Sequence, residues 1–261
     1  MKILCSDFDG TLAIADTVSK DTIKAIKDFQ RVGNLFGIVT GRSLKSLEPN
    51  IAKYDIHPDF LILSNGALII KDGKSIVNGK IDKDVINQII RIANEHRITS
   101  VSLSDGIHHE IQPTKTRLSL GALVLKIGNA LYMKSTKVDF ENIVAIYLKD
   151  FDKNRCSRVG EAILNELKDY VELKINAGIN VDITAHNITK ESAIYKLKDE
   201  FPNAMIYTVG DSLNDVGMIK AFYGYAMKNG NDAVKQVAKK QVKSVAEAIR
   251  DIMEVKHEGI I

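Results

Sequence analysis

Lys2-Ile3-Leu4-Cys5-Ser6-Asp7-Phe8-Asp9-Gly10-Thr11 is the stretch on which the fold turns. Ile3, Leu4 and Cys5 form the brief apolar run of a buried strand, and that run leads straight into two carboxylates. Carboxylates two apart on an extended segment face the same side. Asp7 and Asp9 can therefore address one centre from the C-terminal edge of a sheet, where open α/β folds hold their ligands. Gly10 lets the backbone turn sharply away. Taken alone, the stretch reads equally well as a solvated acidic turn, so its neighbours have to decide.

Working outward, Leu35-Phe36-Gly37-Ile38-Val39 and Phe60-Leu61-Ile62-Leu63 are further short apolar runs bounded by turn residues. Between the first two strands lie Ser19 as an N-cap, Ile23, Ile26 and Phe29 at helical spacing, and Gly33 as a stop. Strand, helix, strand implies a parallel sheet, because parallel strands need a crossover. The far end repeats the grammar. Met205 to Val209 reads as a strand, Val216, Ile219 and Phe222 as a helix face, and Gly224 to Met227 as a further strand. Ser244 and Glu247 read as a capping box for a last helix carrying Ala248, Ile249, Ile252 and Met253. The two ends, residues 1–82 and 186–261, are expected to make one doubly wound, Rossmann-like α/β domain.

The middle reads differently. After a hairpin turn at Lys71-Asp72-Gly73-Lys74, Asp82 opens a helix with Val85, Ile86, Ile89, Ile90 and Ala93. Strands are expected through Val101 and Leu103, from Leu123 to Ile127, Ile143 to Leu148, Val171 to Ile175 and Ile179 to Ile183, with a helix at Ala162, Ile163 and Leu167. Adjacent strands and few helices predict an inserted α+β domain over residues 83–185.

Composition excludes several classes. The 261 residues, 45% hydrophobic and 26% charged, describe a globular chain that must bury a core. Its 36 basic and 33 acidic residues leave a net charge of +3, which provides no strong pull toward nucleic acid or an anionic membrane. Cys5 and Cys156 belong to no zinc or disulfide pattern, and a reducing cytoplasm fits them. Charges at Asp7 and Asp9 interrupt any signal peptide, and no apolar run approaches the roughly 18 residues that span a bilayer. The chain is expected to be cytoplasmic as written.

A second acidic group stands at the end of another strand, in Gly210-Asp211-Ser212-Leu213-Asn214-Asp215. Asp7, Asp9, Asp211 and Asp215 packed together without a cation would raise one another's pKa, so their placement at strand ends implies a hard cation such as Mg2+. A helix N-cap at Asp211 or Ser212 is compatible with that role. Thr40-Gly41-Arg42 supplies a hydroxyl, a permissive glycine and open amides, a phosphate-binding arrangement that is also an ordinary turn. Lys190 opens a helix where the chain re-enters the first domain. The loop Ser104 to Glu110, with His108 and His109, reads as solvated rather than as a metal pair, since adjacent strand residues face opposite ways. Lys235, Lys239, Lys240 and Lys243 read as the wet face of a helix.

These pieces, in this order, resemble the haloacid dehalogenase superfamily of phosphotransferases. Asp7 to Thr11, Thr40 to Arg42, Lys190 and Gly210 to Asp215 match its four motifs, and Ser64-Asn65-Gly66-Ala67 with the α+β insertion is similar to its Cof-type subfamily, type IIB with a C2-type cap. Glu191 and Lys228-Asn229-Gly230 depart from the usual small residues there. The resemblance implies a Mg2+-dependent phosphatase of small phosphorylated metabolites, sugar phosphates foremost. It implies Asp7 as nucleophile and Asp9 as general acid and base, with Mg2+ on one oxygen of Asp7, the main-chain carbonyl of Asp9 and Asp211, and with Asp215 supporting the site from behind or through water. Gly10, Thr11, Thr40, Gly41, Lys190 and Asn214 would hold the phosphoryl group. Arg42, Asn65, His108, His109 and Arg117 are expected near the substrate, with Lys115 beside them.

Other readings stay open. They are a phosphomutase of the same superfamily and a phosphatase of nucleotide, flavin or pyridoxal phosphates; a phosphorylated receiver, whose fold calls for no such insertion, and a silent phosphometabolite-binding regulator, which retention of Asp7 and Asp9 makes unattractive, are weaker rivals. No nucleic-acid or membrane partner is expected, and the chain is expected as a monomer or weak homodimer.

Overall fold

The structure, a computed structural model, describes residues 1–112, 114, 137–176 and 178–254. It begins with β1 (Lys2–Ser6), α1 (Lys20–Arg31), β2 (Leu35–Val39), α2 (Leu44–Tyr54), β3 (Phe60–Leu63), β4 (Leu68–Lys71) and β5 (Lys74–Val77). Then come α3 (Lys83–Glu95), β6 (Ser100–Ser104), β7 (His109–Gln112), β8 (Ala145–Lys149), α4 (Lys153–Leu167), β9 (Val171–Asn176) and β10 (Asn180–Ala185). The last stretch holds α5 (Lys190–Glu200), β11 (Met205–Gly210), α6 (Val216–Ala221), β12 (Tyr223–Met227), α7 (Asp232–Val237), β13 (Lys240–Val242) and α8 (Val245–Glu254).

Ile3 to Ser6 are all buried, as a strand covered on both faces requires. Alternation sorts them: Leu4 joins the core that α1 and α8 cover with Ile26, Phe29 and Ile249, whereas Ile3 and Cys5 join the core under Ile194, Leu197 and Ile219. Ser19 caps α1 as expected, its hydroxyl accepting from Thr22 N. The sheet order is β13-β12-β11-β1-β2-β3-β4-β5, with β13 through β3 parallel and the β4–β5 hairpin antiparallel at the edge. The chain leaves β1 toward β2 and β3 and returns on the other side through β11. The reversal makes a crevice at the carboxyl ends of β1 and β11.

A second sheet, order β7-β6-β8-β10-β9, is antiparallel throughout. Its period-2 alternation separates two faces. Val101, Leu103, Ile146, Leu148, Val181 and Ile183 pack with Ile89 of α3 and with Val159 and Ile163 of α4 in a core of their own. The opposite face carries Tyr147 and Asp182, which are paired across the strands, and Lys174 and Thr184 beside them. That polar face meets the carboxyl edge of the parallel sheet. Tyr147 Oη donates to Gly41 O at 2.8 Å, and Leu44 N and Lys45 N at the start of α2 donate to Gly106 O and Ile107 O at 2.9 and 3.0 Å.

Some readings change. Glu247 accepts from Lys243 N rather than from the cap residue, so Ser244 and Glu247 cap α8 without closing a box. The four lysines do not share a helix, because α7 ends at Val237 and Lys240 lies in β13, paired with Asp251. His109 is no part of a solvated loop: it opens β7 and is buried beside Ser43 Oγ. The strand at Leu123 to Ile127, and Lys115 and Arg117, lie outside the described residues. No helix among the described residues is long and apolar enough to cross a membrane.

Candidate active site

Asp7 follows β1 directly, and its amide still donates to Val209 O of β11, so its side chain stands where the two strands end. Gly10 has φ +85, and a Cβ there would lie 2.5 Å from Asp211 Oδ2. Only glycine lets the turn after Asp9 come this close to the loop after β11. Thr11 Oγ1 donates to Asp211 Oδ1 at 2.7 Å and holds that carboxylate against the turn.

Lys190 arrives from the third side. Thr189 and Ser192 form a reciprocal capping box that starts α5, and Lys190 is its first residue. Its ammonium is fully buried, 2.6 Å from Asp7 Oδ1 and 2.7 Å from Asp215 Oδ1. The second oxygen of Asp215 accepts from Asp211 N and Ser212 N, each at 3.0 Å. Asp215 is thereby saturated. Asp7 is not: its Oδ2 is buried and has no hydrogen-bond partner among the described residues.

One oxygen each from Asp7, Asp211 and Asp215 lie within 4.8 Å of one another. Two of the three, Asp7 and Asp215, share one ammonium. Burial pushes the Asp7 carboxyl well above its ordinary value, with Asp215 and Asp211 adding to the rise and Lys190 opposing it. Asp211 is raised as well, chiefly by burial, against the bond from Thr11. Burial works against the charge of Lys190, but Asp215 and Asp7 more than offset it and hold its pKa above the ordinary lysine value. An orphaned buried oxygen inside an excess of negative charge is what a hard divalent cation would satisfy, and an all-oxygen donor set suits Mg2+.

The other expected residues lie around this cluster. The Asp9 carboxylate is outside it: Arg42 Nε donates to Asp9 Oδ2 at 2.8 Å and Arg42 Nη2 to Oδ1, with the guanidinium 5.1 Å from the Phe8 ring centroid. Thr40 is buried; its hydroxyl accepts from Arg42 N and its carbonyl from Asn65 N. Asn214 and Asn65 meet directly at 3.1 Å and, with Lys190, line a narrow cleft against Glu172, Lys174 and Asp182 of the second sheet. His108 instead pairs with Asp105, and His109 lies against Ser43 at the start of α2.

Sequence reasoning missed Asp182, Tyr147 and Ser64. Asp182 and Thr184 alternate with Val181 and Ile183, a pattern that marks a one-sided strand but not what its polar side faces. Ser64 sits in the quoted Ser64-Asn65-Gly66-Ala67 run, yet its role depends on Tyr147, 83 residues away and 3.1 Å distant.

A family model described as haloacid dehalogenase-like hydrolase matches residues 4–251. The chain is 28% identical over 245 residues to the 5-amino-6-(5-phospho-D-ribitylamino)uracil phosphatase YcsE of Bacillus subtilis (strain 168), covering 91% of this chain and 88% of that protein. Among solved structures, the HAD subclass IIB sugar phosphatase BT4131 superposes with a TM-score of 0.80 at 19% identity, covering 98% of this chain and 100% of the other. BT1666 from Bacteroides thetaiotaomicron gives 0.78 at 22% identity, covering 98% and 96%. At those identities the structural matches speak for the fold.

Proposed function

The chain belongs to the haloacid dehalogenase-like hydrolases, and from that premise we propose that it is a Mg2+-dependent phosphatase of small phosphorylated metabolites, working through an aspartyl phosphate on Asp7. The observation that carries this reading is the crowding of Asp7, Asp211 and Asp215 around the buried Lys190, with one Asp7 oxygen left without a partner.

An Asp7 carboxylate oxygen attacks phosphorus, the new O–P bond forms, and the ester bond breaks with its electron pair leaving on the alcohol oxygen. Covalent capture divides one hard displacement into two easier ones. Asp9 gives a proton to that oxygen and then takes one from the water that attacks the phosphoryl group, which regenerates Asp7 and releases phosphate. To do so its carboxylate must leave Arg42, which now holds both of its oxygens. Lys190 fixes the Asp7 rotamer and sets positive charge beside the phosphoryl oxygens, where phosphoryl transfer gains most from it. Thr40, Gly41 and Asn214, with the turn at Gly10 and Thr11, hold the remaining oxygens. Asp7 and Asp211 would hold Mg2+, with Asp215 supporting the site by fixing the loop after β11 and Lys190; the ion would supply the charge that keeps Asp7 ionised and neutralises the phosphate. The inserted sheet, seated over the strand ends with its polar face inward, serves as a cap that excludes water.

A sugar phosphate and a 5-phosphoribityl chain share one chemistry, a monophosphate ester at the end of a polyhydroxylated carbon chain. That class is the substrate we assign, with the polar side chains Glu172 and Lys174 facing the leaving group. The test is phosphate release from a panel of phosphorylated metabolites with Mg2+. Hydrolysis of sugar or polyol monophosphates is expected, and Asp7→Asn is expected to abolish it. Release from no monoester would overturn the reading, and turnover that needs a bisphosphorylated sugar would make the enzyme a mutase.

A further inference from the structure

A directional chain of hydrogen bonds crosses from the second sheet into the catalytic edge. Ser212 Oγ donates to Asn214 Oδ1 at 2.6 Å, Asn214 Nδ2 donates to Asn65 Oδ1 at 3.1 Å, and Asn65 Nδ2 donates to Asp182 Oδ2 at 3.0 Å. The chain has one sense, because the carboxylate at its end can only accept. Asp182 therefore draws the NH2 group of Asn65 toward itself and leaves the Asn65 carbonyl oxygen for Asn214. With its own oxygen taken by Ser212, Asn214 is fixed at both ends of its carboxamide. Each NH2 group carries a second N–H, and this chain of bonds does not use the second N–H of Asn214.

Asn65 is held for the purpose. Its φ of 54 and ψ of 32 are left-handed, a conformation asparagine tolerates better than most residues, in the tight turn Ser64–Gly66. The turn is wedged from behind, since a Cβ on Gly66 would lie 2.1 Å from Thr189 O at the start of α5, next to Lys190. The backbone at Asn65 cannot draw back from Asp182 without moving the start of the helix that carries the buried ammonium. On the other side, Asp182 reaches Asn65 because Tyr147, its cross-strand neighbour, seats the second sheet on Gly41.

We propose that Asp182 is a positioning residue, acting from the inserted sheet through Asn65 to orient the Asn214 carboxamide for the phosphoryl group. The proposal deepens the phosphatase reading and rests on it for its kinetic readout only. Its consequence is that the phosphate cradle is complete only when the insert is seated, so the fit of the insert is transmitted to the reacting group by two carboxamides.

The experiment compares Asp182→Ala, Asp182→Asn and Asn65→Ala, alone and as the Asp182→Ala/Asn65→Ala double variant. Turnover is measured on p-nitrophenyl phosphate and on a sugar monophosphate, unfolding midpoints are recorded, and the Asn65 and Asn214 side-chain amides are followed by 1H–15N NMR. Misplacing a reacting group by about 1 Å costs up to about 100-fold, so kcat of Asp182→Ala should fall roughly tenfold by the same argument, more than KM changes and equally for both leaving groups. Asp182→Asn keeps an acceptor and should lose less. The double variant should be no slower than Asn65→Ala, and the Asn214 amide signals should shift in Asp182→Ala.

Wild-type kcat in Asp182→Ala, additive losses in the double variant, or a loss confined to one leaving group would each overturn the proposal. The last would make Asp182 a contact for the leaving group instead. If Asp182→Ala does not fold, the Asp182→Asn/Asn65→Ala double variant decides by the same non-additivity. If the wild-type chain released phosphate from no monoester, the phosphatase reading would fail while the NMR shift of Asn214 still decided the relay.

Discussion

Two carboxylates in this molecule are buried to nearly the same depth, Asp7 at 4% exposure in the parallel sheet and Asp150 at 3% in the inserted one, and they are treated in opposite ways. Asp150 is supplied with donors: Thr99 N at 3.0 Å, Thr99 Oγ1 at 2.8 Å, Arg155 Nη1 at 2.9 Å and Asp152 N at 2.9 Å. It ties β6 to the start of α4 and has nothing left to offer a ligand. Asp7 has one ammonium, shared with Asp215, one oxygen without a partner and two further acids close by. Burial alone marks neither residue as functional. Failure to complete the hydrogen bonds that burial demands distinguishes them, because an unsatisfied buried oxygen costs stability and persists where something else needs it.

The contrast breaks most sharply under substitution. Asp7→Asn should lower phosphatase turnover by roughly four to six orders of magnitude, the range seen when a nucleophile or its partner in a catalytic triad is removed, because an amide is a poor nucleophile. In the presence of a chelator the same variant should unfold at a higher temperature than wild type, since it removes one charge from an over-acidic site. Asp150→Ala should do the reverse, costing about 2 kcal/mol of stability through the orphaned Thr99 and Arg155 donors while leaving turnover per folded molecule unchanged. If both variants simply lost stability, measured by denaturant unfolding, the two clusters would be the same kind of object.

The next effect is one of pH. The folded-state pKa of Asp7 is raised, so folding favours its protonated form. Its stability contribution is full below the ordinary carboxyl value and is lost as pH rises through the folded value. Chelated wild type should therefore become less stable as pH rises through the raised Asp7 pKa, and Asp7→Asn should flatten that slope. Added Mg2+ should also remove it. Ligand linkage predicts about 2.7 kcal/mol of stabilisation at 100 times Kd, and Asp211→Asn should shrink the Mg2+-induced shift in unfolding midpoint. A shift of wild-type size in that variant would take Asp211 out of the metal site.

The sequence disclosed one of these clusters and hid the other. Asp7, Asp211 and Lys190 are legible because each follows a recognisable strand or opens a recognisable helix, and strand ends in an α/β sheet converge by geometry. The Asp9–Arg42 pair, the Tyr147 seat and the Asp182 relay join residues 33, 106 and 117 positions apart, and they depend on how one sheet sits on another. No periodicity carries that information. His109 is misplaced for the same reason: a polar run around it suggests a loop, yet pairing of β7 with β6 buries it. The alternation of Asp182 and Thr184 with Val181 and Ile183 fits a one-sided strand, but nothing in it names what the polar side meets.

Tyr147 offers the smallest and cleanest perturbation of that hidden contact. Its ring packs with Ala67 and Val144, and only its hydroxyl reaches Gly41 O and Ser64 Oγ. Tyr147→Phe removes the hydroxyl's neutral hydrogen bonds to Gly41 O and Ser64 Oγ, each worth about 0.5–1.5 kcal/mol, so kcat/KM should fall roughly threefold to tenfold with only a small fall in unfolding midpoint. Burial, reinforced by the charge of Asp182, pushes the Tyr147 hydroxyl above the ordinary tyrosine pKa. It therefore remains a protonated donor at neutral and mildly alkaline pH, and the ratio of variant to wild-type kcat/KM should be flat between pH 6 and pH 9. A ratio that approached one toward pH 9 would mean that the hydroxyl ionises there and the seat is wet. A ratio of one throughout would mean that the insert is held by the Gly106 and Ile107 carbonyls on α2 without help from Tyr147.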